Sequence, residues 1–81
     1  MSGARQKRSL SIHGHRTSIS LEPEFWAVID GAATAREQSV AGFITRLDDR
    51  RTVEDSAYGL AAYLRLWSLR YVQKKAEPSH K

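Results

Sequence analysis

Between Ser9 and Leu21 the chain reads SLSIHGHRTSISL, and its alternation runs in two registers that disagree. Successive strand side chains point to opposite faces. In the second half Thr17, Ile19 and Leu21 therefore share one face, and Arg16, Ser18 and Ser20 share the other. In the first half Leu10 and Ile12 are the apolar pair, yet Ile12 and Ile19 are of opposite parity. One straight strand cannot put both apolar sets on one side. Two devices repair the parity. A two-residue turn at His13-Gly14 would pair Ile12 with His15, Leu10 with Thr17 and Arg8 with Ile19, and would place Ser9 and Ser11 beside Arg16, Ser18 and Ser20. A bulge at Gly14 in one long strand would do the same.

Everything after Leu21 has helical spacing. Pro23 suits a first helical turn, where its missing N–H costs nothing, and Glu22 and Glu24 suit the positive helix end. Phe25, Val28, Ile29, Ala32 and Ala33 mark an apolar stripe, which predicts a helix from about Pro23 to Arg36. Ser39 is a good N-cap for a second helix, with Val40, Phe43, Ile44 and Leu47 at i, i+3, i+4 and i+7 and Asp48-Asp49-Arg50-Arg51 as its solvated end. Thr52-Val53-Glu54-Asp55 resembles a capping box and predicts a third helix from Thr52 to about Val72. That helix has a wide apolar arc: Ala57, Leu60, Ala61, Leu64, Trp67 and Tyr71, with Tyr63, Leu66, Leu69 and Val72 alongside. A surface helix needs only about 100° of apolar arc, so the surplus predicts that part of this helix covers a subunit interface or packs over the other helices, with a surface for another protein as the alternative. Residues 1–7 read as a disordered basic arm, 8–72 as one domain and 73–81 as a flexible tail.

A lone strand leaves its backbone donors and acceptors open and invites pairing. A second copy of the chain answers that need: two RTSISL strands pair antiparallel across a two-fold axis, with Ile19, Leu21, Phe25, Phe43, Ile44 and Leu47 forming the dimer core.

The charge distribution points to a polyanion. The formal net charge is +4. Arg5, Lys7, Arg8 and Arg16 precede any acid, Glu22–Asp55 is net acidic, and the last stretch is basic again. With no cysteine among 81 residues, disulfides and thiolate metal cages are excluded, and a reducing cytoplasm is expected. No apolar run is long enough to span a bilayer, and no apolar segment follows the basic start, so neither membrane span nor secretory signal is predicted. His13 and His15 form an H-x-H pair without a third ligand nearby, which reads as a polar turn and not as a metal site. Trp26 and Trp67 lie beside apolar stripes, so packing is expected of them before base stacking. Asp48-Asp49 and Glu54-Asp55 lack the company that acid–base chemistry needs, and no nucleophile elbow, zincin or P-loop motif occurs. Neither an enzyme nor a cofactor is expected.

The run RTSISLEPEFWAVIDGAATAREQSVAGFITRL resembles the ribbon-helix-helix fold of Arc/MetJ-type DNA-binding proteins. It is similar in particular to a bacterial subgroup with a GHRTSISLEPEFW-like segment and an appended C-terminal helix. The resemblance implies a mainly α homodimer with a short β ribbon and an extra C-terminal helix, acting as a DNA-binding transcriptional repressor. It implies base contacts from Arg16, Ser18 and Ser20 in the major groove. Phosphate contacts would come from the helix start at Ser39 and Val40, and from the basic Arg5, Lys7 and Arg8. Many members place a Gly between the two helices, where this chain has Arg36-Glu37-Gln38. A hairpin at residues 8–13 would widen the dimer's sheet to four strands, too wide for a groove about 12 Å across. The alternative is then a dimeric protein-interaction module, antitoxin-like or adaptor-like.

Overall fold

The computed structural model describes residues 4–76. Two antiparallel strands, β1 (Gln6–Ile12) and β2 (His15–Leu21), precede three helices, α1 (Pro23–Ala35), α2 (Val40–Val53) and α3 (Leu60–Ala76). The parity conflict is resolved by a hairpin, not a bulge. Its ladder pairs Ile12 with His15, Leu10 with Thr17, Arg8 with Ile19 and Gln6 with Leu21. His13 (φ 53°) and Gly14 (φ 77°) are both left-handed, the geometry of a type I′ turn, whose twist matches that of the strands it joins.

β1 begins at Gln6, so Gln6 and Lys7 belong to the sheet and not to the unstructured arm expected over residues 1–7. Ala4 and Arg5 of that arm precede β1 as exposed coil, and residues 1–3 and 77–81, which include most of the expected tail, lie outside the described residues. At the other end α3 continues to Ala76, past Val72 and into the segment expected to be tail. Pairing with β1 also changes the case for a twin. One edge of β2 finds its ladder partner inside the chain, so backbone satisfaction on that edge needs no second copy. In a two-residue hairpin the pair flanking the turn exchanges ladder bonds, so alternation turns the amides and carbonyls of Arg16, Ser18 and Ser20 to the outer edge of β2. There the Ser20 carbonyl accepts from Arg65 Nη2 of α3 at 3.4 Å.

The helices pack on one face of the hairpin. Ile12, Ile19 and Leu21 are buried with Trp26, Ile29, Ala32 and Ala33 of α1, Phe43, Ile44 and Leu47 of α2, and Tyr63 and Leu64 of α3. Five of the six residues assigned to a dimer core are therefore already buried within one chain; Phe25 is half-buried against the same cluster. α3 is integral to that core, because Leu64 is fully enclosed.

The helix boundaries show how non-glycine residues close helices. α1 ends in a Schellman motif: Gln38 N–H donates to the Ala33 carbonyl (2.9 Å) and Glu37 N–H to that of Thr34 (3.0 Å). Glu37 takes the left-handed position (φ 56°) at which helices commonly end on Gly. α2 ends the same way. Ser56 N–H reaches the Arg51 carbonyl (3.1 Å), Asp55 N–H reaches that of Thr52 (3.0 Å), and Asp55 has φ 54°. This corrects the expected third helix. Thr52-Val53-Glu54-Asp55 is the closing turn of α2 and not a capping box; the Thr52 hydroxyl donates back to the Asp48 carbonyl at 3.0 Å. Asp48–Arg51 accordingly lie inside α2. α3 begins only at Leu60, with the Gly59 carbonyl accepting from Tyr63 N–H at 2.9 Å. No helix among the described residues is long and apolar enough to cross a membrane.

Candidate nucleic-acid interface

Because all three helices occupy one side of the hairpin, the other side is open. Cross-strand partners share a face, so the register places Lys7 opposite Ser20, Ser9 opposite Ser18 and Ser11 opposite Arg16 on that open side. Five of these are exposed and Ser20 is half-buried. The face thus carries two cations, four hydroxyls and no carboxylate. Arg16, Ser18 and Ser20 fall together as the alternation predicts. Ser9 and Ser11 join them through the turn register. The place of Lys7 within the sheet escaped sequence reasoning, because its alternation begins in a stretch whose small and basic residues resemble a disordered arm.

Arg8 does not join this face. It pairs with Ile19 on the helix side, donates to both oxygens of Asp30 (2.8 and 3.0 Å) and lies over the Trp26 ring at 4.2 Å. The bidentate pair holds its guanidinium above its ordinary pKa and turns it away from any phosphate on the open face. This removes Arg8 from the expected phosphate set. The same corner is tied by Trp26, whose indole N–H donates to the Gln6 carbonyl at 2.8 Å, so Trp26 is a buried strut and not a stacking platform. Arg5 is exposed just ahead of β1 and its charge helps to lower the pKa of Glu22. The main cause there is Arg65, whose Nε donates to Glu22 at 2.9 Å and so joins α3 to the β2–α1 junction.

At the start of α2 the exposed Ser39 acts as the N-cap, its hydroxyl accepting from Gly42 N–H at 3.0 Å. Helix geometry leaves the Val40 and Ala41 amides without an intrahelical acceptor, which keeps them available to an anion. Exposed Glu37, two residues earlier, places a like charge near any such anion.

His13 sits in the turn with its Nε2 3.0 Å from Asp49 Oδ1 and 3.5 Å from Asp48 Oδ2, fastening the hairpin tip to α2. His15 begins β2. Among the described residues no group of three potential ligands is placed to hold a metal ion. Trp67 is half-buried, edge-on to Phe43 and stacked on Tyr71 at 4.8 Å.

Comparison with known proteins agrees with this geometry. The family model described as ribbon-helix-helix domain matches residues 5–72. Among solved structures, the chain is similar to an uncharacterized protein from Bordetella pertussis Tohama I. The TM-score is 0.80 at 34% identity, over 93% of this chain and 61% of that one. The chain thus spans under two thirds of that protein's length. Nothing among curated proteins matches.

Proposed function

The chain belongs to the ribbon-helix-helix family, and from that premise we propose that it is a transcriptional repressor that binds double-stranded DNA as a dimer through the open face of its hairpin. The observation that carries this reading is the acid-free polar face formed by Lys7, Ser9, Ser11, Arg16, Ser18 and Ser20. The major groove admits a two-stranded β-ribbon. Here one chain supplies both strands, about 4.8 Å apart. An edge-to-edge dimer through β2 would make four strands spanning about 14 Å, wider than the groove of about 12 Å, so the groove-entering unit is the hairpin of a single chain. The dimer is then held by other surfaces, among which the side of α3 at Leu69 and Val72 exposes apolar side chains.

In this arrangement Arg16 reads a guanine edge through two parallel hydrogen bonds, and Ser18 and Ser20 supply less discriminating contacts. Lys7 and Arg5 meet phosphates, as do the first amides of α2 around Ser39 and Val40. The protein does no chemistry; it occupies an operator and needs no cofactor to do so.

The test is a titration of short duplexes followed by fluorescence anisotropy. Random duplex should bind with a dissociation constant of about 10⁻⁴–10⁻⁶ M, weakening steeply between about 50 and 200 mM salt. On a selected site Arg16→Ala should cost about 1–3 kcal/mol. An equal loss on every sequence would identify Arg16 as a phosphate contact instead. No binding at about 50 mM salt refutes the reading. It would favour the second one, a protein-interaction module, which the exposed apolar residues Val53, Tyr58, Leu69 and Val72 support.

A further inference from the structure

Away from the hairpin, α2 and α3 enclose a groove with a strong excess of positive charge. Two adjoining cavities of about 390 and 280 Å³ share Arg36, Arg50 and Trp67 along their walls. Arg46 lines the first, and Arg70 and Lys74 line the second. No residue of β1 or β2 contributes, so this is a different surface from the proposed DNA face.

The arrangement is unfavourable as it stands. Arg46 and Arg50 are one turn apart on α2, and Arg70 and Lys74 one turn apart on α3, and like charges at that spacing repel. The single lining carboxylate is Glu54. It already accepts from the Tyr63 hydroxyl at 3.0 Å and lies 3.7 Å from Arg50 Nη2. The ion pairs among the described residues leave Arg46, Arg70 and Lys74 without a carboxylate. Arg36 is positioned by aromatic rings and not by an acid: its guanidinium lies 5.6 Å from the Phe43 ring, 5.9 Å from Trp67 and 5.5 Å from Tyr71. The groove is therefore a concave cluster of exposed cationic side chains, four of them guanidinium forks, beside an aromatic wall, with too little of opposite sign to neutralise it. Guanidinium forks match phosphate oxygens in geometry. The larger of the two cavities falls within the range of small-molecule sites, about 300–1,000 Å³.

We propose that this groove binds a small, phosphate-rich anion, namely a polyphosphate chain carried by a nucleotide or free in solution. Arg46 and Arg50 hold it from α2, Arg70 and Lys74 hold it from α3, and Arg36 meets it where the two cavities join. Trp67 and Tyr71 form the surface that a nucleotide's ring would meet. Binding offsets the repulsion between like charges along each helix and ties α2 to α3 through one shared anion.

Calorimetric titration of the full chain at about 50 mM salt, without divalent cations, uses three probes: ATP, inorganic tripolyphosphate and adenosine. ATP and tripolyphosphate should both bind, with dissociation constants below about 1 mM, a modest affinity in energetic terms. Adenosine should not bind. ATP tighter than tripolyphosphate assigns the ring to the Trp67–Tyr71 wall and points to a nucleotide; equal affinities point to free polyphosphate. Arg46→Gln and Arg70→Gln, both at exposed positions, should each weaken binding about tenfold, the scale of one lost charge-assisted contact. Melting temperatures measured alongside separate misfolding from loss of the site. The proposal is overturned if neither phosphate probe binds, or if both bind the folded R46Q and R70Q variants as tightly as the parent. Loss of duplex-DNA binding in those variants, without any ATP binding in the parent, likewise overturns it and makes the groove part of the DNA surface.

Discussion

Replacing Gly14 by Ala tests whether the hairpin exists in solution as described. Gly14 has φ 77°, in the left-handed region, and a Cβ added there meets nothing within 4 Å. Sterics against the rest of the protein therefore contribute nothing, and the cost is confined to the backbone. A left-handed residue with a Cβ loses about 1–2 kcal/mol. Reduced freedom of the unfolded chain returns about 0.4–1 kcal/mol of that. The net is a destabilisation of about 1 kcal/mol. Gly31, in the middle of α1, is the control, because a Cβ there also meets nothing within 4 Å but the backbone is helical. The same substitution at Gly31 should stabilise by about 0.5–1 kcal/mol. Urea unfolding followed by circular dichroism reads both. With a slope of about 1–3 kcal/mol per molar, Gly14→Ala should lower the midpoint by about 0.3–1 M and Gly31→Ala should raise it. If Gly14→Ala leaves the midpoint unchanged or raises it, residue 14 is not left-handed. The type I′ turn is then wrong, and with it the register that assembles Lys7, Ser9 and Ser11 beside Arg16.

Leu64→Ala should cost about 2–5 kcal/mol in the same assay, because Leu64 is fully buried; a cost below about 1 kcal/mol would mean that α3 is an appendage and not part of the core. Ser39→Ala should cost about 1 kcal/mol by removing the cap on Gly42 N–H. Tyr63 gives an alkaline limit. Burial, and then its hydrogen bond to Glu54, raise its pKa, so the folded state favours the neutral phenol. That contribution is complete below about pH 10 and is lost as pH rises further through the folded pKa; thermal melts in Tyr63→Phe should lose less stability over that window. Glu22 acts at the other end. Its pKa is lowered chiefly by Arg65, so its contribution is present above about pH 4.3 and disappears as pH falls through the lower folded value; Glu22→Gln should flatten the acid limb of a melting-temperature profile.

Periodicity alone determined a good part of this molecule. The alternation of RTSISL puts Arg16, Ser18 and Ser20 on one face, the helical spacing of Phe43, Ile44 and Leu47 buries all three, and Pro23 and Ser39 mark the starts of α1 and α2. These are local rules: a strand has period 2, a helix 3.6, and a cap satisfies amides a few residues away. The end of α1 near Arg36 was legible from where its apolar stripe stops, but the end of α2 was not, because Asp55 occupies a left-handed position usually signalled by Gly, so Thr52–Asp55 reads as a beginning when it is an end. Tertiary structure alone decided the rest. Whether the parity break at His13-Gly14 is a turn or a bulge depends on whether β1 can fold back onto β2 while Ile12 joins the core. Arg8 is drawn from solvent by Asp30 and Trp26, which lie far away in sequence. The basic groove exists only because two separate helices bring their like-charged faces together. Such pairings are set by long-range packing, and no window of sequence contains both partners.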